Sequence, residues 1–236
     1  VSALPRLENA GMDAWLVRLF DHIDERNMGW ITALVRACEQ AFGPRLIDLI
    51  PSYTTVLVQF DALILDHAEA RRLLADILAR LRPDQDEGEV PIKELPVWYH
   101  PSVGPDMARL EQSTGLDATR LIALHSEHTY RVFALGFAPG FAFMGSVPPA
   151  LELPRLDTPR RRVPAGSVAI AGRQTSAYPQ ASPGGWNLLG RTSARLFDPA
   201  SEALSLLQVG DRVRFTPVGK AEFERLGGDT TPMEER

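Results

Sequence analysis

The chain has 236 residues, of which 44% are apolar and 23% charged, and its formal net charge is −5. Such a chain can bury a core without covalent staples, and its acidic balance argues against a nucleic-acid partner, which leaves a basic footprint. The single cysteine, Cys38, rules out an internal disulfide. No apolar run reaches the ~20 residues that cross a bilayer, and the start lacks the basic-then-apolar profile of a secretory signal, so a cytoplasmic protein is expected.

The first hundred residues alternate between strand and helix patterns. Residues 14–20 (AWLVRLF) read as a strand. Between 30 and 42, Ile31, Leu34, Val35, Cys38 and Phe42 fall on one helical face, with Asn27 the expected cap and Gly43-Pro44 the stop. Cys38 in that pattern reads as a buried thiol rather than a nucleophile. Strands are expected at 46–50 and 54–60. A second helix follows Asp66, with Ala70, Leu73, Leu74, Ile77, Leu78 and Leu81 in phase, and ends at Pro83. Residues 84–89 form an acidic, solvated connector, and 95–99 resume extended structure. The order βαββαβ is the split βαβ, ferredoxin-like one, its last strand leading into a second domain. The expected class is α+β, with residues 1–90 as a small N-terminal domain.

The second half, 91–226, reads as mostly β. Short helices open at Gly104-Pro105-Asp106 and after Asp117, and strands are expected at 129–135, 167–171, 187–189 and 213–215. Short strands with frequent Gly and Pro between them suggest a closed barrel. Residues 227–236 (GGDTTPMEER) are expected to be a mobile polar tail.

Residues 136–198 carry the densest signal. Gly136-Phe137, Pro139-Gly140-Phe141, Pro154-Arg155, Pro159-Arg160, Val163-Pro164-Ala165-Gly166-Ser167-Val168, Tyr178-Pro179, Ser182-Pro183-Gly184-Gly185-Trp186 and Gly190-Arg191-Thr192 follow in order. Glycine opens backbone angles closed to other residues and proline fixes one, so this density specifies tightly shaped loops over short strands. The array resembles the KipI-type proteins, which include the B subunit of bacterial 5-oxoprolinase and are also called allophanate hydrolase subunit 1. Weaker matches run through Gly104-Pro105-Asp106, Leu124-His125-Ser126 and Gly210-Asp211. Ser176-Ala177 departs from the glycine and aliphatic residue expected before Tyr178. The resemblance implies a cyclophilin-like β-barrel for the second domain.

Several side chains are candidates for a site. Guanidinium groups present planar donor forks to carboxylate or phosphate, so Arg155 and Arg160 are candidate anion ligands, with Arg161 and Arg162 beside them. Their alternative is a solvated loop or pairing with Glu152 and Asp157. Ser182, Gly184, Gly185 and Trp186 form either an anion-binding turn with an aromatic wall or a plain tight turn. Tyr178, Arg191 and Thr192 join them as substrate- or anion-binding candidates. Phe137 and Phe141 either line a cleft or pack inward. His125 is either a proton-handling group, with an ordinary pKa near ~6.5, or a helix-end residue. His125 and His128 lack the further ligands of a metal site, and no metal is expected. No phosphate loop or dinucleotide fingerprint is present.

The resemblance implies a non-autonomous subunit of an ATP-dependent 5-oxoprolinase, which opens 5-oxoproline to L-glutamate. It implies ATP as co-substrate, and a KipA-type C subunit and a LamB/YcsF-type A subunit as partners. Two other roles remain open: an inhibitor of a sensor histidine kinase, and a component related to urea carboxylase or allophanate hydrolase.

Overall fold

The computed structural model describes residues 4–84 and 90–233. The chain divides into two compact units, residues 1–90 and 91–236.

In the first unit, strands β1 (Arg6–Asn9), β2 (Ala14–Arg18), β3 (Leu46–Pro51) and β4 (Thr55–Phe60) form one antiparallel sheet in the order β1-β2-β4-β3. Helices α1 (Met28–Phe42) and α2 (His67–Arg80) supply the rest. The pleat puts alternate residues on one face, and Val56, Val58 and Phe60 of β4 are buried there together with Ile31, Leu34, Cys38 and Leu74. Burial pushes the Cys38 thiol up to about 12, so it stays protonated and inert. Asp66 caps α2 by accepting from the Glu69 N–H at 2.8 Å.

Three details differ from the sequence reading. The sheet position that a fourth ferredoxin-like strand would take belongs to β1, which precedes β2 as a hairpin partner, whereas the strand after α2 joins the second unit. Asn27 sits at the start of α1 without capping it: its side-chain amide donates to the His22 carbonyl at 2.9 Å, and Asp24 caps the preceding 3-10 turn instead. The expected connector lies outside the described residues except for Asp84, whose N–H donates to the Gly29 carbonyl and whose carboxylate pairs with Arg36 at 3.2 Å.

The second unit is a closed barrel. Its strands are β5 (Ile92–Trp98), β6 (Tyr130–Leu135), β7 (Ala142–Gly145), β9 (Ser167–Ala171), β10 (Gln174–Ala177), β12 (Asn187–Thr192) and β13 (Arg212–Pro217), in the cyclic order β10-β7-β6-β13-β5-β12-β9. Helices α3 (Met107–Thr114), α4 (Ala118–Ser126) and α5 (Lys220–Arg225) belong to the same unit, and β8 (Arg160–Val163) with β11 (Ser182–Gly184) makes a separate two-stranded ribbon.

All five residues of β9 are buried. A half-exposed strand alternates, so complete burial requires cover on both faces. Val168 and Ile170 point into the main core with Leu95, Val132, Met144 and Phe215. Ala169 and Ala171 pack in a second cluster with Phe141, Val163, Tyr178, Trp186 and Leu188. Val163 belongs to the ribbon and Trp186 closely follows it, so the second cluster anchors the ribbon over the barrel wall.

Residues 227–233 do not trail away as the expected mobile tail. Gly227 turns with φ 81°, and the Gly228 N–H donates to the Phe223 carbonyl. The Met233 N–H donates to the Ser102 carbonyl at 2.8 Å, and its side chain packs on the second cluster.

The chain entering α3 lies directly on β12. A methyl group added at Gly104 would sit 2.2 Å from the Leu189 carbonyl carbon and oxygen, both backbone atoms that cannot rotate away. Gly104→Ala should therefore cost about 1–3 kcal/mol by overpacking. Hydrogen exchange should quicken across 91–233 and not across 4–84; equal loss of protection in both units would contradict this packing.

Candidate functional site

The ribbon is fixed by a buried ion pair. Arg160, at the start of β8, donates through Nη2 to Asp106 Oδ1 at 2.7 Å, and both side chains are about one-tenth exposed. The other oxygen of Asp106 accepts from the Leu188 N–H at 2.7 Å. One carboxylate thus joins the lead-in to α3, strand β12 and the ribbon. Asp106 precedes α3 but does not cap it, because its oxygens are taken elsewhere. The expectation that Arg160 is a free anion ligand, or pairs with Glu152 or Asp157, gives way to this partner.

Trp186 is walled by Phe141 at 5.7 Å and Phe143 at 6.0 Å between ring centroids. The Arg155 guanidinium carbon lies 5.7 Å from the Trp186 ring centroid, within cation–π range, while the residue itself stays exposed. Tyr178 is buried, and burial pushes its phenol up to about 12. Phe141 packs inward, whereas Phe137 is 65% exposed at a φ of 68° and meets Phe141 and Tyr178 edge-on.

The 182–186 segment is not an anion-binding nest. Residues 182–184 are extended and paired with β8, and neither Gly184 nor Gly185 has the left-handed φ that turns successive N–H groups toward one point. Gly184 is required for space: a methyl there would sit 2.3 Å from the Tyr178 hydroxyl. The Gly185 carbonyl accepts from the Leu156 N–H at 2.7 Å, and a methyl on Gly185 would make only ordinary contacts. The Ser182 hydroxyl is buried without a hydrogen-bond partner among the described residues.

His125 is likewise a core residue. Its ring is fully buried and stacks on Phe215 at 4.6 Å. Thr175 donates its hydroxyl proton to the Ala169 carbonyl at 3.0 Å, so it can only accept from His125 Nε2, 2.9 Å away. Nδ1 must then accept from the Tyr99 hydroxyl at 2.7 Å. This neutral tautomer satisfies both nitrogens, and burial lowers the pKa to about 3. A residue sealed in this way has no route to a substrate proton, so the proton-handling expectation fails.

Beside the ribbon is a cavity of about 660 Å³, within the size range of small-molecule sites, lined by Arg160, Arg161, Arg162, Arg191, Asp229 and Thr231 among others. Arg161 and Arg162 are exposed and make no ion pair or side-chain hydrogen bond among the described residues. Arg191, on β12, is different: its side chain is only 1% exposed. Nη1 donates to the Asp229 and Thr231 carbonyls, both at 2.8 Å, and lies 3.4 Å from the Asp229 carboxylate. Nε and Nη2 have no partner among the described residues. Burial lowers the Arg191 pKa, with the Asp229 charge opposing. Its neighbour Thr192 is buried, and its hydroxyl accepts from the Ala194 N–H at 3.1 Å. Among the described residues, no group of three or more His, Cys, Asp or Glu is placed to hold a metal ion.

The structure thus brings Arg160 and Arg191 to one cavity, sets Arg155, Tyr178 and Trp186 in the neighbouring aromatic cluster, and leaves His125 inside the barrel. Asp229 and Thr231 were hidden from sequence reasoning by their polar setting; the paired glycines Gly227-Gly228, which turn the chain back, were the available signal.

The buried groups have measurable consequences. Asp106→Ala strands Arg160 and should destabilise the second unit by about 3–5 kcal/mol, with Arg160→Ala adding little on top of it in a double-mutant cycle read by urea denaturation. Additive losses would contradict the coupling. For His125, the unfolded imidazole takes up a proton near ~6.5, while the folded one does so only at about 3. Its contribution is therefore complete above a pH of about 6.5 and declines as pH falls toward 3. The stability margin of the parent chain over His125→Gln should shrink below that pH by up to about 1.4 kcal/mol per pH unit; a margin constant from about pH 7.5 to 4.5 would contradict the assignment.

Comparison with known proteins places the chain in a family. The model of the carboxyltransferase domain, subdomain C and D, matches residues 5–207. The chain is 34% identical over 227 residues to the 5-oxoprolinase B subunit of Bacillus subtilis (strain 168), covering 92% of this chain and 95% of that protein. It is 42% identical over 179 residues to the 5-oxoprolinase B subunit of Escherichia coli O157:H7, covering 74% of this chain and 79% of that one. Among solved structures it is similar to TTHA0988, with a TM-score of 0.78 and 37% identity, over 96% of this chain but only 42% of that one. Urea amidolyase of K. lactis, at 18% identity, shares the fold with a TM-score of 0.71 over 93% of this chain and 15% of that one. The chain belongs to the KipI-type family of 5-oxoprolinase B subunits.

Proposed function

We propose that this chain is the B subunit of an ATP-dependent 5-oxoprolinase, acting with partner subunits to open the lactam of 5-oxoproline to L-glutamate. The observation that carries the reading is the match to the B subunit of the Bacillus subtilis enzyme over nearly the whole length of both chains. The partners in this reading are a KipA-type C subunit and a LamB/YcsF-type A subunit.

The chemistry suits an arginine-lined cavity. A lactam amide is resonance-stabilised, and ATP, when bound, supplies the phosphoryl group that turns its oxygen into part of a better leaving group for attack by water. The protein must hold the phosphate and the substrate carboxylate in place, and guanidinium groups in a shielded site do this well. Arg161, Arg162 and Arg191 are the groups of this chain that bind and orient the anion. Arg160 with Gly184 holds the ribbon in position, and Arg155, Tyr178, Ser182, Gly185, Trp186 and Thr192 frame the adjoining loops. With His125 sealed in the core, proton transfer falls to a group outside the residues assigned here or to a partner subunit.

The purified chain alone should hydrolyse no ATP in the presence of 5-oxoproline. Co-expression with the two partner subunits should give a complex that releases glutamate in step with ATP consumption. Turnover by the single chain, or an assembled complex inert toward 5-oxoproline, would overturn the reading.

A further inference from the structure

We propose that the cavity beside the ribbon binds a phosphate-bearing small molecule of at least two negative charges, anchored by Arg191, and that Asp229 to Met233 is the segment that holds Arg191 until the ligand displaces it. This rests on reading the cavity as the chain's anion site, and not on the identity of the reaction.

Arg191 is buried with three of its five donor hydrogens idle among the described residues. A guanidinium has five donor hydrogens, and its Nε and Nη2 lie along one edge that takes two oxygens of a single oxyanion. The same edge is filled elsewhere in this chain: Arg18 donates through Nε and Nη2 to the two oxygens of Glu8, and Arg225 does so to Glu222. In Arg191 this edge has no partner among the described residues although the side chain is buried. Burying a cation with idle donors is unfavourable, so the site stands ready for an oxyanion.

The opposite edge of the same guanidinium is occupied by the chain itself. Nη1 is held by two carbonyl oxygens from Asp229 and Thr231, with the Asp229 carboxylate 3.4 Å away. Oxygens spaced along a peptide segment occupy one end of the guanidinium as the oxygens of an anion would. Beyond its bonds to Arg191, that segment is held by the Thr231 N–H to Asp229 Oδ1 at 2.9 Å, the Thr230 hydroxyl to Glu224 at 3.5 Å, the Met233 N–H to the Ser102 carbonyl at 2.8 Å and the packing of the Met233 side chain on the second cluster. The unpartnered nitrogens are enclosed, so an anion reaches them only after a local movement, which we assign to the segment bound to the same guanidinium.

Charge balance sets the ligand class. Arg160 is neutralised by Asp106, which leaves Arg161, Arg162 and Arg191 with the carboxylate of Asp229 as the one acidic group lining the cavity among the described residues. A monocarboxylate would leave the cavity positive, whereas a diphosphate or the phosphate tail of a nucleotide would neutralise it. Arg161 and Arg162 are exposed and meet the ligand first; Arg191 takes it once the segment yields.

The test is calorimetric titration of the full chain at low ionic strength with inorganic pyrophosphate, orthophosphate, ATP and 5-oxoproline. Pyrophosphate and ATP should bind one per chain, at least tenfold more tightly than 5-oxoproline. The double variant Arg161→Ala/Arg162→Ala removes only exposed side chains, so it should fold normally and weaken pyrophosphate at least tenfold. Asp229→Ala removes the competing carboxylate and should tighten it several-fold. Hydrogen exchange supplies the second readout: the Met233 amide should exchange faster, not slower, when pyrophosphate is bound. Unchanged pyrophosphate affinity in the double variant, tighter binding of 5-oxoproline than of pyrophosphate, or added protection at Met233 would each overturn the proposal. The outcome is separable from the reaction. An active complex that tolerates the double variant would sink this site and leave the enzyme reading standing. Pyrophosphate binding at these arginines in a complex inert toward 5-oxoproline would do the reverse.

Discussion

The second unit is organised by the carboxylate of Asp106. Its two oxygens reach two different elements, Arg160 of the ribbon and the Leu188 N–H of β12, while its backbone begins α3. A pair this well shielded contributes little net stability by itself, because desolvation offsets most of the attraction; its effect is on geometry. With one end of the ribbon pinned, Arg161 and Arg162 have their position relative to β12 and hence to Arg191. The neighbouring hydrogen bonds reinforce that placement. Arg109 donates to the Asn187 side-chain oxygen, and Asn187 Nδ2 reaches the Pro154 and Ile170 carbonyls at 3.0 and 3.2 Å.

Hydrophobic packing works on the same parts from the other side. The barrel wall at β9 and β12 must be covered on its outer face, since Ala169, Ala171 and Leu188 are apolar and buried there. Trp186, Tyr178 and Val163 supply that cover, and the loops are constrained by it: Gly184 must lack a side chain to admit the Tyr178 hydroxyl. The glycine- and proline-rich stretch is therefore dense for two reasons at once. It must lie flat on an apolar wall, and it must present arginines on its other side.

Much of this was legible in the sequence. The helices after Asp66 and Asp117 were readable because a capping carboxylate stands directly before a periodic apolar run, and β9 was readable as a short continuous apolar segment. The strand at 6–9 was not, because RLEN has neither alternation nor β-branched residues and, among the described strands, pairs only with β2 through their hairpin. The end of the chain was misread for a related reason. Residues 227–233 are polar, and polarity alone suggested a loose tail, but the contacts that fasten them are backbone hydrogen bonds, which composition does not register. At the site, sequence could mark arginines but not their partners. Arg160 and Asp106 are 54 residues apart, and Arg191 and Thr231 are 40 apart. His125 failed for the opposite reason: a polar residue in a recognisable element looks reactive until both ring nitrogens are found to be satisfied inside a core.

Partner chemistry separates the arginines of this region more sharply than exposure does. Arg160 and Arg191 are both largely buried, yet one meets a full carboxylate on a short hydrogen bond and the other meets mostly neutral carbonyls. A carbonyl satisfies a donor without cancelling the charge. Arg160 is therefore at rest in its pair, and moving it would strand Asp106 as well. Arg191 keeps a positive charge that the Asp229 carboxylate at 3.4 Å compensates only in part, and burial shifts its pKa downward against that carboxylate. A fold can carry such a group where another charge completes it, and in this barrel Arg191 borders the cavity that Arg161 and Arg162 also line.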